Sequence, residues 1–465
     1  MNDTGKPKIG LLPLMLELYK KYSPEIERDQ GPFVKEIAES LGEFADVTTA
    51  PVCSTTADVR QATGAFERDD ADIVVVIFIS YATSISALNP LLETRLPLLL
   101  FSTAPKSSMA EGMTAGDIML NHGVHGYMDL SNVLRRNDRG FLFVSGVKDD
   151  PRAFGEIAMW SRAARAAKQL KRSRIGIAGY TFDGMGDFGV DTTSLNAVLG
   201  PEVRHIPLNY LVECIADIES GEVQAEIDND RSRFTVSEEV DDAVLEASER
   251  MYLGLKKAAG ELSLNAFTMH FMGILEHPGI QTVPFLAISK LQEQGLAYAG
   301  EGDLLGATGN LMLRLMCGDT VFTETFCPDF EGGRIVMGHM GESNPAFGRA
   351  TSLRRKTFRF GETLDPVIAD VDMEPGRATV LNLGIVENGD FQAIAYSGEI
   401  CERIPGSDDI DMPYFHFRPD MELPDFLTEY GIAGGTHHIA MTKGDRIEEI
   451  TALTGLTGIR TVIIG

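Results

Sequence analysis

Along the first 150 residues, short apolar runs alternate with stretches that are apolar on one side only. The runs "KIGLLPLM", "DVTTAPV", "ADIVVVIFI", "LPLLLFST" and "GFLFVSG" have the length and β-branched content of buried strands. Between them, "GPFVKEIAESLGEF" and "TADVRQATGAFERD" repeat apolar positions at helical spacing. Strands and helices in alternation predict a doubly wound parallel sheet. A long helical segment, "DPRAFGEIAMWSRAARAAKQLKRS", leads to a second unit that opens with "RIGIAGYTFDGMGDFGV". There the strand-like "LNAFTMHFMG" and "LAYAGEGD" alternate with helical "SEEVDDAVLEASERMYLGLKKAAGEL", "PFLAISKLQEQG" and "LLGATGNLMLRLM".

After about residue 320 the pattern changes to short two-residue alternation broken by Gly, Pro, Asn and Asp. "VFTETFCPDF", "GRIVMGHM", "KTFRF", "ATVLNLGIVE", "DFQAIAYSGEI" and "YFHFRP" read as antiparallel strands. A helix, "RIEEITALTG", and a strand, "RTVIIG", follow. The expectation is an α/β protein with two doubly wound, Rossmann-like domains, 1–173 and 174–320, and a mainly antiparallel β-barrel domain over 321–465.

The chain has 465 residues and a net charge of −27. That field disfavours nucleic acid and anionic membranes as partners and suits neutral or cationic ligands, including divalent metal ions. The apolar runs are too short to span a bilayer. No C-x-x-C spacing occurs among the five cysteines, which argues against a zinc ribbon or a disulfide framework. The N-terminus lacks the charged-then-apolar pattern of a secretory signal, so a cytoplasmic location is expected.

Four stretches place ionisable residues among apolar ones. "AYAGEGD" sets Glu301 between a strand and a helix, where open α/β sheets present ligands. "TVFTETF" holds Glu324, "IVMGHMGE" holds His339, and "AGGTHHIAM" holds His437 and His438. Two carboxylates with two imidazoles form a suitable ligand set for Mn²⁺ or another divalent cation. A cation would also offset the cost of a carboxylate in an apolar strand. "NHGVHGYMDL" adds His122 and His125 at i, i+3 spacing.

Taken together these stretches resemble the L-arabinose isomerase family within the L-fucose/L-arabinose isomerase superfamily. "QEQGLAYAGEGD" is similar to the segment carrying that family's first metal-binding glutamate, which falls on Glu301. "FTETFCPDFEGGRIVMGHMGE" is similar to the segment with its second glutamate and first histidine, Glu324 and His339. "AGGTHHIAM" resembles "AGGAHH", whose second histidine is the ligand, here His438. "MLNHGVHGY" resembles "LNQTAHGG" and assigns a substrate-site role to His125, with His122 replacing the glutamine. "FDGMGDFGVDTT" is similar to a pocket loop carrying a methionine, Met185, followed here by Gly186 rather than a basic residue.

The resemblance implies a Mn²⁺-dependent aldose–ketose isomerase, with Glu301 and Glu324 exchanging protons with an open-chain sugar through a cis-enediol. It also implies homo-trimers or homo-hexamers with active sites between subunits, so that His125 reaches a neighbour's site. Two alternatives stand beside it: an isomerase or epimerase acting on another sugar, and a non-catalytic sugar-binding protein. For the histidine pair, alternation along an extended strand would send the two rings to opposite faces, so both would not reach one metal; the resemblance selects His438 and leaves His437 either structural or orienting a neighbour.

Overall fold

The computed structural model describes residues 5–465 apart from 276, 362, 405 and 407–409. The chain divides into two compact units, one running to Lys168 and the other covering Gln169–Gly465.

In the first unit five parallel strands lie in the spatial order Asp46–Thr49, Lys8–Leu14, Ile73–Phe78, Leu98–Ser102, Leu142–Ser145. Every residue of the central strand Ile73–Phe78 is buried, as expected where helices cover both faces of a parallel sheet. Helix Thr56–Arg68 starts at a capping box in which Thr55 and Asp58 satisfy each other's backbone N–H groups.

The second unit holds a four-stranded parallel sheet in the order Ala297–Gly300, Ala266–Met269, Arg174–Ala178, Glu202–Ile206. Beyond it, six strands close into an antiparallel barrel in the order Gly376–Ile385, His438–Lys443, Thr320–Asp329, Arg334–Gly338, Tyr414–Pro419, Phe391–Cys401. The seam is the ten-pair ladder between Gly376–Ile385 and Phe391–Cys401. Strand Arg460–Ile464 adds to the barrel in parallel. Val321, Met337, Val380, Tyr396, Phe417 and Met441, one from each barrel strand, belong to one buried apolar cluster and mark the interior. The doubly wound sheets and the C-terminal barrel are therefore the expected fold class.

Two details differ from the expected pattern. "KTFRF" is not a strand: the ladder Gly348–Arg355 ends just before it, and Phe358 and Phe360 pack against other aromatic rings instead of alternating across a sheet. Strands Gly348–Arg355 and Val367–Met373 pair with each other outside the barrel, and Gly348–Arg355 also pairs with Thr235–Val236. Among the described residues, no helix is long and apolar enough to cross a membrane.

Three helices of this unit are tied by a buried charge cluster. Lys290, on Phe285–Glu293, places Nζ 2.8 Å from Asp230, 2.7 Å from Glu249 and 2.8 Å from Glu226, and 4.2 Å from the centre of the Tyr252 ring. Burial, opposed by Lys290 and reinforced by Asp230, pushes the Glu249 carboxyl well above the usual carboxylate range. The same helix supplies Gln292, whose Oε1 accepts the Phe322 N–H at 3.0 Å, and so fixes a barrel strand.

Lys290→Met should lower stability by about 3–5 kcal/mol, because it strands buried carboxylates without their cation. Urea unfolding would measure it; a loss below about 1 kcal/mol would show that the cluster is not a structural anchor.

Candidate functional site

Barrel register sets the site. Glu324 lies directly opposite His438 on one neighbouring strand and Gly338 on the other. Side chains alternate, and Val321, Ile439 and Met441 fill the interior, so Glu324 and His438 project from the outer wall. His339 follows the end of its strand at the same edge. Phe322, on the same wall as Glu324, packs edge-on against His339, His438 and Tyr298 with ring centres 4.9, 4.9 and 5.5 Å away.

Glu301 arrives from the turn after strand Ala297–Gly300. Its φ of 62° is left-handed, which is costly for a residue with a side chain. The turn is held by Phe182, whose N–H donates to the Glu301 carbonyl at 3.0 Å, and by the Thr181 hydroxyl, which donates to the Gly302 carbonyl at 3.1 Å. Glycine is required on both sides of it. A Cβ on Gly300 would lie 2.9 Å from the His339 ring, and one on Gly302 2.3 Å from the Tyr180 carbonyl oxygen.

Ligand-type atoms of Glu324, His339 and His438 lie within 4.8 Å of one another, as do those of Glu301, His437 and His438. From His438 Nε2, Glu324 is 3.4 Å and Glu301 3.9 Å away. That nitrogen is buried and has no hydrogen-bond partner. Behind it, His438 Nδ1 is bonded to Asp303 Oδ2 at 3.1 Å, while Asp303 Oδ1 accepts the Gly306 N–H and caps helix Leu304–Cys317. His339 Nδ1 faces Glu342 at 3.0 Å, an ion-pair contact without hydrogen-bond alignment. Carboxylates behind imidazoles fix the ring orientation and leave the second nitrogen for a metal.

Electrostatics follow from this packing. Burial opposes charge on His438, but Asp303 and Glu324 outweigh it and raise the imidazole to about 9. Burial would raise Glu324, yet the His438 and His339 rings hold it below the usual carboxylate range. His339 is raised against burial by Glu342 and Glu324.

His437 is nearer the site than strand alternation suggests. The strand begins at His438, so the residue before it escapes the alternation. The His437 ring sits 4.5 Å from His438 and bonds through Nδ1 to Asp187 at 2.9 Å. Asp187 and Phe188 belong to the loop that carries Met185, and Phe188 stacks on His438 at 4.6 Å. Met185 itself is half-buried. His122 and His125 lie in the other unit, His125 exposed near the start of helix Val124–Arg136, with His122 Nε2 2.7 Å from His125 Nδ1. Asp303, Glu342 and Asp187 were not identified from sequence. Asp303 had a signal, an Asp immediately before a helical run, and Glu342 another, an acid three residues after a histidine.

Replacing Glu301 by Gly should leave the protein as stable as before, or up to about 1 kcal/mol more stable, since the left-handed strain is released. A loss above about 1 kcal/mol in chemical denaturation would contradict this.

Residues 189–318 match the L-arabinose isomerase central domain and 319–460 the L-arabinose isomerase C-terminal domain. An L-arabinose isomerase of Shouchella clausii (strain KSM-K16) is 25% identical, covering 100% of this chain and 96% of that protein. One of Nocardioides sp. is 24% identical over 95% of this chain and 91% of its own length. One of Mycolicibacterium smegmatis is 26% identical over 72% of this chain and 69% of its own. With both domains matched in order and relatives aligned along its length, this chain belongs to the L-arabinose isomerase family, a family of aldose–ketose isomerase enzymes.

Proposed function

We propose that the chain is a divalent-metal-dependent aldose–ketose isomerase, with Mn²⁺ as the first candidate, that works by proton transfer through a cis-enediol. The observation that carries this reading is the gathering of Glu301, Glu324 and His339 about His438, whose buried Nε2 makes no hydrogen bond, with Asp303 and Glu342 behind the two rings. The donor set fits a borderline divalent ion: two carboxylates offset its charge and two imidazoles add affinity. Bound by these residues, such an ion would polarise the sugar carbonyl and acidify the adjacent C–H.

The protein's own groups then move the proton. One of Glu301 and Glu324 takes it from C2, and the other returns a proton at C1 or relays the hydroxyl proton. Glu301 is held by its turn and Glu324 by its ladder, so neither needs to reorganise. Phe322 and Phe188 cover the imidazoles and limit access of bulk water. The sugar is taken up in open-chain form, and Met185 is assigned to the wall of its pocket.

The chain is also proposed to act in the cytoplasm as a homo-oligomer, trimer or hexamer. The His122–His125 pair of one copy would complete the site of the next. Exposed apolar residues beside that pair, Val124 and Met128, support a covered face there.

Glu301→Gln and Glu324→Gln should each reduce isomerisation by at least about 10³-fold with the fold intact, consistent with loss of a positioned acid or base. Chelator treatment should abolish activity and added Mn²⁺ restore it, with solvent deuterium appearing at C1 or C2 of recovered sugar. Full activity in either variant would remove the proton-transfer roles. His438→Ala should lose metal outright and Asp303→Ala weaken it by about 10–100-fold, whereas His437→Ala should retain most of it. Metal analysis reads all three, and equal loss from His437→Ala and His438→Ala would make both rings ligands.

A further inference from the structure

Strand Arg460–Ile464 joins the barrel wall through one edge. It runs parallel to Phe391–Cys401, from the Arg460–Gln392 pair to the Ile464–Tyr396 pair. Among the described residues its other edge meets no strand. A free edge presents backbone N–H and C=O groups in a row, and proteins commonly blunt it with proline, lysine or a bulge. The strand "RTVII" has neither proline nor lysine, and every residue after Arg460 is β-branched, so it is well suited to pair again.

Beside this strand lies an open groove of about 610 Å³, lined in part by Val462, Ile463 and the end of helix Leu423–Ile432. Ile432 is 84% exposed, the most of any large apolar side chain among the described residues, and Ile463 is 49% exposed. Ile464 belongs to the buried barrel cluster and Val462 packs against it, so Ile463 between them points the other way. An apolar surface beside an open strand edge is what an edge-to-edge contact would cover.

Charge selects the occupant. Arg460 is exposed at the start of the strand, and Glu448 is exposed beside its end, in the first turn of helix Ile447–Thr457. Among the described residues neither makes an ion pair, although Arg460 shares its groove with Glu387 and Glu429. The other acids at the strand end are engaged: Arg377 lies 2.6 Å from Asp420 and 3.6 Å from Asp445, and Arg446 lies 2.9 Å from Glu449. A second copy turned about a two-fold axis near Val462 would lay its own strand antiparallel to this one. Arg460 of each copy then comes to the end of the other's strand, where Glu448 stands. A parallel approach in register would set Arg460 against Arg460.

We propose that strand Arg460–Ile464 is a self-association edge. Two copies pair antiparallel through it about a two-fold axis, covering Ile432 and Ile463 and setting Arg460 of each copy toward Glu448 of the other. Such a contact closes on itself, so it doubles whatever assembly the chain otherwise makes. It depends on neither a metal ion nor the isomerase chemistry.

Analytical ultracentrifugation of the full chain over a range of concentrations tests this. The wild type should sediment as an even-numbered assembly. Ile463→Lys and Ile432→Asp should each halve its mass, or raise the dissociation constant at least about 10-fold, because each brings a charge into the covered face. Arg460→Glu and Glu448→Arg should each weaken the pair by about 5- to 30-fold, since every substitution acts twice across the axis. Combining those two in one chain should restore the wild-type mass, which a misfolded variant could not do. A monomeric or odd-numbered wild type overturns the proposal, as does an unchanged mass in either isoleucine variant. The edge would then serve some other partner. Charge variants without effect, or without recovery when combined, overturn the antiparallel facing of Arg460 and Glu448.

Discussion

A buried imidazole can keep one nitrogen free for a ligand only if its other nitrogen is held. The site depends on this constraint. His438 is held by Asp303 and His339 is set against Glu342, so each ring is oriented by a carboxylate from its own unit. Asp303 does a second job as the cap of helix Leu304–Cys317, so the helix start and the ring orientation share one side chain. Two residues earlier the backbone turns through a left-handed conformation to aim Glu301. Strand end, turn, ligand, cap and helix are compressed into the few residues 300–306, and two of them must be glycine because His339 and Tyr180 leave no room for a Cβ.

The charge cluster around Lys290 shows a different answer to the same difficulty. There the acids gather round one buried amine that lies 2.7–2.8 Å from each of them. In the candidate ligand cluster, two acids lie 3.4 and 3.9 Å from a ring nitrogen that makes no hydrogen bond. One arrangement is closed and the other open. The distinction separates a structural anchor from a site, although both are groups of buried acids beside a base.

The residues of the candidate cluster were legible because they interrupt apolar runs. Glu324 in "TVFTETF" and His438 before "IAM" stand out for that reason, and the barrel register then sets them side by side. The supporting acids were harder to read. Asp187, Asp303 and Glu342 sit in connections, where acids are common, and only contacts across the fold single them out. The alternation argument failed at His437 because the strand begins one residue later. "KTFRF" misled for a related reason. Its aromatic spacing imitates a strand, whereas its rings are spaced to join an aromatic group. Two-residue periodicity reports which side chains share a side, and a loop whose rings meet one aromatic group can satisfy it as well as a sheet.

The Glu324–His438 pairing has a consequence for how the cluster is assembled. The acid that orients His438 lies 135 residues earlier in the chain, and Glu324 meets the histidine only when strand His438–Lys443 takes its place in the barrel. A chain lacking that strand would carry Glu301, Glu324 and His339 without His438. The four candidate residues therefore come together only when the barrel closes.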